Sequence, residues 1–205
     1  MNQKILIGCL AVLLFVVPAR ADVPYGVGGF KLGDNIGDHT RQVKMGTAIP
    51  IRYQPYLAEV EIEYTPKFKS GLITYGTCRE AGQIVRIKLK YADSTETFFK
   101  QLHKRIESRY GKPSEWRGDS FGIVKAWKWS FTDKDKHRVS LILQHNTRDD
   151  EEKIGNAIKM TMHSLVEEER RCWEKKEKAR QAQRDSQKSR ETDREEVDWD
   201  FLIPR

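Results

Sequence analysis

From Val85 to Tyr91 apolar and basic residues alternate without a break: Val85, Ile87, Leu89 and Tyr91 against Arg86, Lys88 and Lys90. A period of two places every second side chain on one face of a strand, so this segment predicts a strand with one buried and one cationic face. Val60, Ile62 and Tyr64 alternate with Glu59, Glu61 and Glu63 in the same way, giving a strand with an acidic outer face that Pro66 ends. Should the two strands be neighbours, their outer charges could pair across the sheet. Gly71 to Thr77 reads as a strand between them, stopping at Cys78.

After the cationic strand the period changes. Asp93-Ser94-Thr95-Glu96 has capping-box spacing, and Phe98, Phe99, Leu102, Ile106 and Tyr110 follow at helical intervals until Gly111 and Pro113 close the run. This predicts one helix over 94–110 lying on a sheet. A loop with Trp116 and Gly118 leads to a strand at 123–131 in which Trp127, Trp129 and Phe131 share a face. Asp133 to Lys136 makes the turn, Val139, Leu141 and Leu143 form the hairpin partner, and Ile158, Met160 and Met162 give a last strand. The glycine-rich stretch 22–50 holds a short strand at 29–32, then a turn and weakly ordered chain. Its spacing fits neither a phosphate-binding loop nor a dinucleotide fingerprint.

Ser164 and Glu167 cap a second helix over 164–196, docked at first through Leu165, Val166, Cys172 and Trp173 and then almost wholly charged. Leu165, Cys172 and Ala179 recur at seven residues, a weak coiled-coil hint from three positions. Residues 197–205 end the chain in a short apolar segment around Trp199 to Ile203. The order predicts an α+β domain over 22–163, mainly an antiparallel sheet packed by one central helix in two layers, with the charged C-terminal helix added.

The N-terminus bears on location. Lys4 precedes an apolar run from Ile5 to Val17, then Pro18 and Ala19-Arg20-Ala21, which predicts a signal peptide over 1–21 cut before Asp22. Two alternatives are weaker. The run is short of the roughly 20 residues of a membrane anchor, and the lipoprotein-like Leu6-Ile7-Gly8-Cys9 precedes most of the apolar run. Cutting before Asp22 removes Lys4 and Arg20, so the net charge falls from +7 to +5. No other long apolar segment follows. The excess suits weak attraction to anionic surfaces, and nucleic acid is a poor partner for an exported chain without a basic-aromatic module. Cys78 and Cys172 then remain as the two cysteines, and in an oxidising compartment their simplest fate is a mutual disulfide.

No residue earns a catalytic role. There is no Cys-x-x-Cys, no clustered Cys/His pattern for zinc, no calcium-loop spacing around Asp133 and Asp135 or in the acidic run 149–152, and no nucleophile elbow at Ser120. No metal or cofactor is expected. The candidate binding residues are the cationic strand face, Arg86, Lys88 and Lys90, and an aromatic platform of Trp116, Trp127 and Trp129; both have a plainer reading, as a solvated sheet face and as core.

The stretch from Phe30-Lys31-Leu32-Gly33 through Arg109-Tyr110-Gly111-Lys112-Pro113 to Trp127-Lys128-Trp129 resembles small exported bacterial α+β proteins of uncharacterised function. The resemblance implies a Gram-negative periplasmic setting and supplies no catalytic residues. The expectation is a non-enzymatic binding or accessory protein contacting a protein partner or an anionic envelope component. An adaptor self-associating through the C-terminal helix and an enzyme of unrecognised type are the alternatives.

Overall fold

The computed structural model describes residues 22–146 and 155–194, with Leu202 beyond them. The signal-peptide reading of 1–21, the acidic run 149–152 and most of the apolar end segment lie outside the described residues. Strands β1 (Gly26–Val27) and β2 (Phe30–Lys31) pair as a small ribbon. The main sheet comprises β3 (Ile49–Ile51), β4 (Gln54–Glu61), β5 (Phe68–Gly76), β6 (Ile84–Tyr91), β7 (Glu115–Trp116), β8 (Val124–Thr132), β9 (Arg138–Asn146) and β10 (Asn156–Met162). Helices α1 (Glu96–Tyr110) and α2 (His163–Arg194) complete the fold. The eight strands run in the order β3-β4-β5-β6-β10-β9-β8-β7, every pair antiparallel. This is the expected α+β architecture. Both edges are short, and β3 carries Pro50 and a register shift, features that discourage pairing with another chain.

Register sorts the side chains into two faces. Val60, Ile73, Ile87, Met160, Leu141 and Trp129 form one rung across the sheet, all with 1% exposure or less except Leu141 at 2%. On this face lie α1 and the N-terminal segment, whose Phe30, Leu32, Ile36 and Val43 join the same core. Phe99 stacks on His145, and His103 packs between Trp127 and Trp129. Polar bonds fix α1 at both ends. Buried His145 donates through Nδ1 to Asn156 Oδ1 at 2.8 Å, and Asn156 Nδ2 donates to the carbonyls of Asp93 and Thr95. At the other end Trp129 Nε1 donates to the Gly111 carbonyl at 2.8 Å.

The opposite face carries the first turns of α2, so the domain has three layers at that end instead of the two expected. Sequence periodicity could not show this, because α2 has only a narrow apolar stripe. Glu169 is the pivot. It is 1% exposed, and its carboxylate accepts from the backbone N–H groups of Cys78, Arg79 and Glu80 at 2.7–3.1 Å. Gly76 lies directly beneath; a Cβ there would stand 2.4 Å from the Glu169 carboxyl. The Cys78–Cys172 disulfide, with Cα atoms 5.9 Å apart, fastens the same loop one turn further on, and Arg79 pairs with Glu168. From Lys178 to Lys188 the helix is exposed on all sides.

Three local expectations are corrected and one open condition is answered. Thr95, not Asp93, caps α1 by accepting from Phe98 N; Asp93 instead accepts from the Thr95 backbone and hydroxyl. Ser164 does not cap α2, because its hydroxyl takes the Arg138 N–H. The acidic and basic strands are not neighbours, since β5 lies between them. Tyr64 falls beyond β4 and is exposed, because the strand's paired register ends at Glu61.

Candidate anion-binding face

The solvent-facing rungs of the sheet gather basic side chains from strands far apart in sequence. Lys88 on β6 stands opposite Lys159 on β10, and Lys159 in turn opposite Ile142 and then Lys128. The adjacent rung reads Glu59, Thr74, Arg86, Thr161, Ser140 and Ser130. On the far side lies Lys90, opposite Ala157. Neighbouring strands are about 4.8 Å apart and alternate residues on a strand about 6.7 Å, so Arg86, Lys88, Lys90 and Lys159 form one compact patch.

At the foot of the patch is the start of α2. His163 Nε2 lies 2.8 Å from Ser140 Oγ. Burial, then Lys128, Arg138, Arg86 and Lys159 in turn, push the His163 pKa below its ordinary value. Lys159 is shifted down too, by burial first and then by Arg86 and Lys88. Burial also lowers the Arg86 pKa, opposed by the attraction of Glu59 across β5. Within this group Arg86 Nε is buried and has no hydrogen-bond partner among the described residues. A buried donor left unmade costs about 1–3 kcal/mol, and like charges facing each other across strands add repulsion.

Elsewhere on the surface, several cations have acidic partners. Lys44 pairs with Glu61, Lys128 with Glu115, Lys125 with Glu96, and Arg170 with Glu167 and Glu174. No such ion pair, among the described residues, involves Arg86, Lys88, Lys90 or Lys159. A cavity of about 270 Å³ opens beside Lys88 and Lys90, walled by Ile62, Gly71 and Leu72 and bordered by the Lys44–Glu61 ion pair. The arrangement can receive an anion: it offers positive charge, hydroxyl groups and a partly apolar wall.

The expected binding residues therefore separate. Arg86, Lys88 and Lys90 share one face, and the structure adds Lys159, Lys128 and His163 to them. Lys159 was visible only as the polar interruption between Ile158 and Met160. The three tryptophans lie on the other face. Trp129 is 1% exposed and serves as core and helix anchor, so it cannot belong to a surface platform. Trp127 is half-buried beside His103, and Trp116, 43% exposed on edge strand β7, meets it edge-on with ring centres 4.6 Å apart.

A second cluster joins His137 to the two aspartates already weighed for calcium. Asp133, Asp135 and His137 bring one ligand atom each within 4.8 Å of one another. The Asp133 carboxylate is already engaged: Tyr25 OH donates to Oδ2, His137 Nδ1 lies 2.9 Å from the same oxygen, and His137 N donates to Oδ1. These bonds tie the N-terminal segment to the β8–β9 turn. They hold the Asp133 carboxyl down to about 2, the Tyr25 bond contributing most, while burial pushes Tyr25 up to about 12.

Comparisons with protein-family models, with curated proteins and with solved structures found no match. No helix among the described residues is long and apolar enough to cross a membrane. The intramolecular disulfide is compatible with an extracellular location.

Proposed function

We propose that this chain is an exported, non-enzymatic binding protein that holds an anionic component of the bacterial envelope against its open sheet face. A Gram-negative periplasm is the setting. The observation that carries the reading is the set of cations on β6 and β10, which forms no ion pair among the described residues and lies beside the first turn of α2. Their mutual repulsion is a standing cost that an anionic ligand would relieve. The exposed part of α2 supports self-association less well, since residues 178–188 present no apolar seam.

The test is binding of the chain from Asp22 onward to phosphatidylglycerol-containing vesicles as salt is raised. Each basic side chain at such a surface is worth about 1 kcal/mol, so K88Q/K90Q/K159Q should weaken binding by about 100-fold. A chain ending at Lys175 should bind like the longer one. Equal binding by the triple variant, or binding that disappears with residues 176–205, would sink the proposal and turn attention to the charged helix.

A further inference from the structure

Resting on that reading, we infer that the anchor of the bound component is a phosphoryl group in monoester form, held by Arg86 and Lys159. Three features of this corner point to such a group. First, Arg86 stands between Thr74 and Thr161 in its rung, and its Nε is buried with no hydrogen-bond partner among the described residues. A planar guanidinium offers two parallel N–H groups to a tetrahedral oxyanion, a fit that a lysine's point charge lacks.

Second, the charge count favours a dianion. Arg86, Lys88 and Lys159 converge there, with Glu59 the acidic group acting on Arg86. Three cations less Glu59 leave two net positive charges, of which a single carboxylate would neutralise one, whereas a phosphate monoester carries nearly two charges at neutral pH. Third, an ester has somewhere to put its organic part. The cavity of about 270 Å³ at Lys88 and Lys90 continues the same file of side chains and includes the apolar wall of Leu72 and Ile62.

Two sources share this chemistry, a phosphorylated lipid headgroup and a small soluble phosphate ester. Calorimetric titration of the chain from Asp22 with glycerol phosphate, with acetate, and with vesicles containing phosphatidic acid or phosphatidylglycerol distinguishes them. Binding of free glycerol phosphate assigns a soluble ester; binding of phosphatidic acid vesicles without it assigns a lipid headgroup. In either case Arg86→Lys, which keeps the charge but loses the fork, should weaken monoester binding by about tenfold or more. The same change should leave phosphatidylglycerol vesicles bound as before. Lys159→Gln provides the second variant, and thermal unfolding of both verifies that the domain is intact.

The inference is overturned if acetate competes as well as the ester, or if both variants bind the monoester like the parent chain. Were phosphatidylglycerol binding to persist in that case, only the phosphoryl subsite would fall. Absence of binding to every anion would remove the broader reading with it.

Discussion

At the scale of single residues, Asp133 shows how one carboxylate can be placed by the fold and then titrate far from its usual range. Its pKa is about 2 against an ordinary 3.8. The folded form thus holds the proton less readily than the unfolded one. The resulting stability is fully present above pH 3.8 and is lost as pH falls through about 2. Tyr25→Phe removes the largest cause, so the stability of this variant should decline less between pH 4 and pH 2 than that of the parent. Denaturant titrations across that window would check it, and identical slopes would rule out the Tyr25 bond as the cause. Arg86 gives the contrasting lesson. Alternation in the sequence placed it on the outer face of β6, but the unpaired state of Nε depends on which residues surround it. Glu169 was legible only as one acid among many in a charged helix. Its burial is a tertiary fact: glycine at 76 leaves room for a carboxylate, and the turn at 78–80 points three N–H groups at it.

At the scale of elements, the long alternating runs and the α1 stripe were readable because one buried face imposes one period. β5, β6, α1 and the β8–β9 hairpin lie close to their expected limits, whereas β4 begins and ends earlier than the alternation of Glu59 to Tyr64 suggested. The two-residue strand β7 and the short β3 were missed, since so few residues cannot display a period. Helix caps misled for a related reason, because several side chains nearby could have served and only packing selects among them. The docked part of α2 bears the strongest element-level predictions. Glu169→Ala should destabilise the domain by about 3 kcal/mol, leaving three backbone donors without their charged acceptor. Chemical denaturation would measure it, and a loss below about 1 kcal/mol would show that the turn finds other partners. Replacing Cys78 and Cys172 together by serine should cost about 4–5 kcal/mol, the chain-entropy value for a bridge spanning 94 residues. A loss near zero in the same assay would mean that Glu169 alone suffices to dock the helix.

At the scale of the whole molecule, the two sheet faces have separate duties. One is apolar and closed by α1 and the N-terminal segment, and its tryptophans are spent on packing and on the carbonyl at the end of α1. The other is polar, covered at one end by α2 and cationic beside it. This division explains why the two candidate groups of binding residues behaved differently. Charged alternation marks the outward face of a strand, so Arg86, Lys88 and Lys90 were found together. Aromatic alternation marks a face but not which one, and Trp129 turned out to lie inward.

The sequence by itself determined the periods, and hence the strands, the amphipathic helix and the two cysteines available for a bridge. Those follow from local rules, because strand and helix geometry repeat over a few residues. Tertiary structure alone decided the strand order that sets β10 beside β6, and with it the meeting of Lys159 with Arg86 and Lys88. It also decided that α2 crosses the second face, and that Glu169 fills the space above Gly76. Long-range pairing is fixed by how whole faces bury one another, a property that no short stretch of sequence contains.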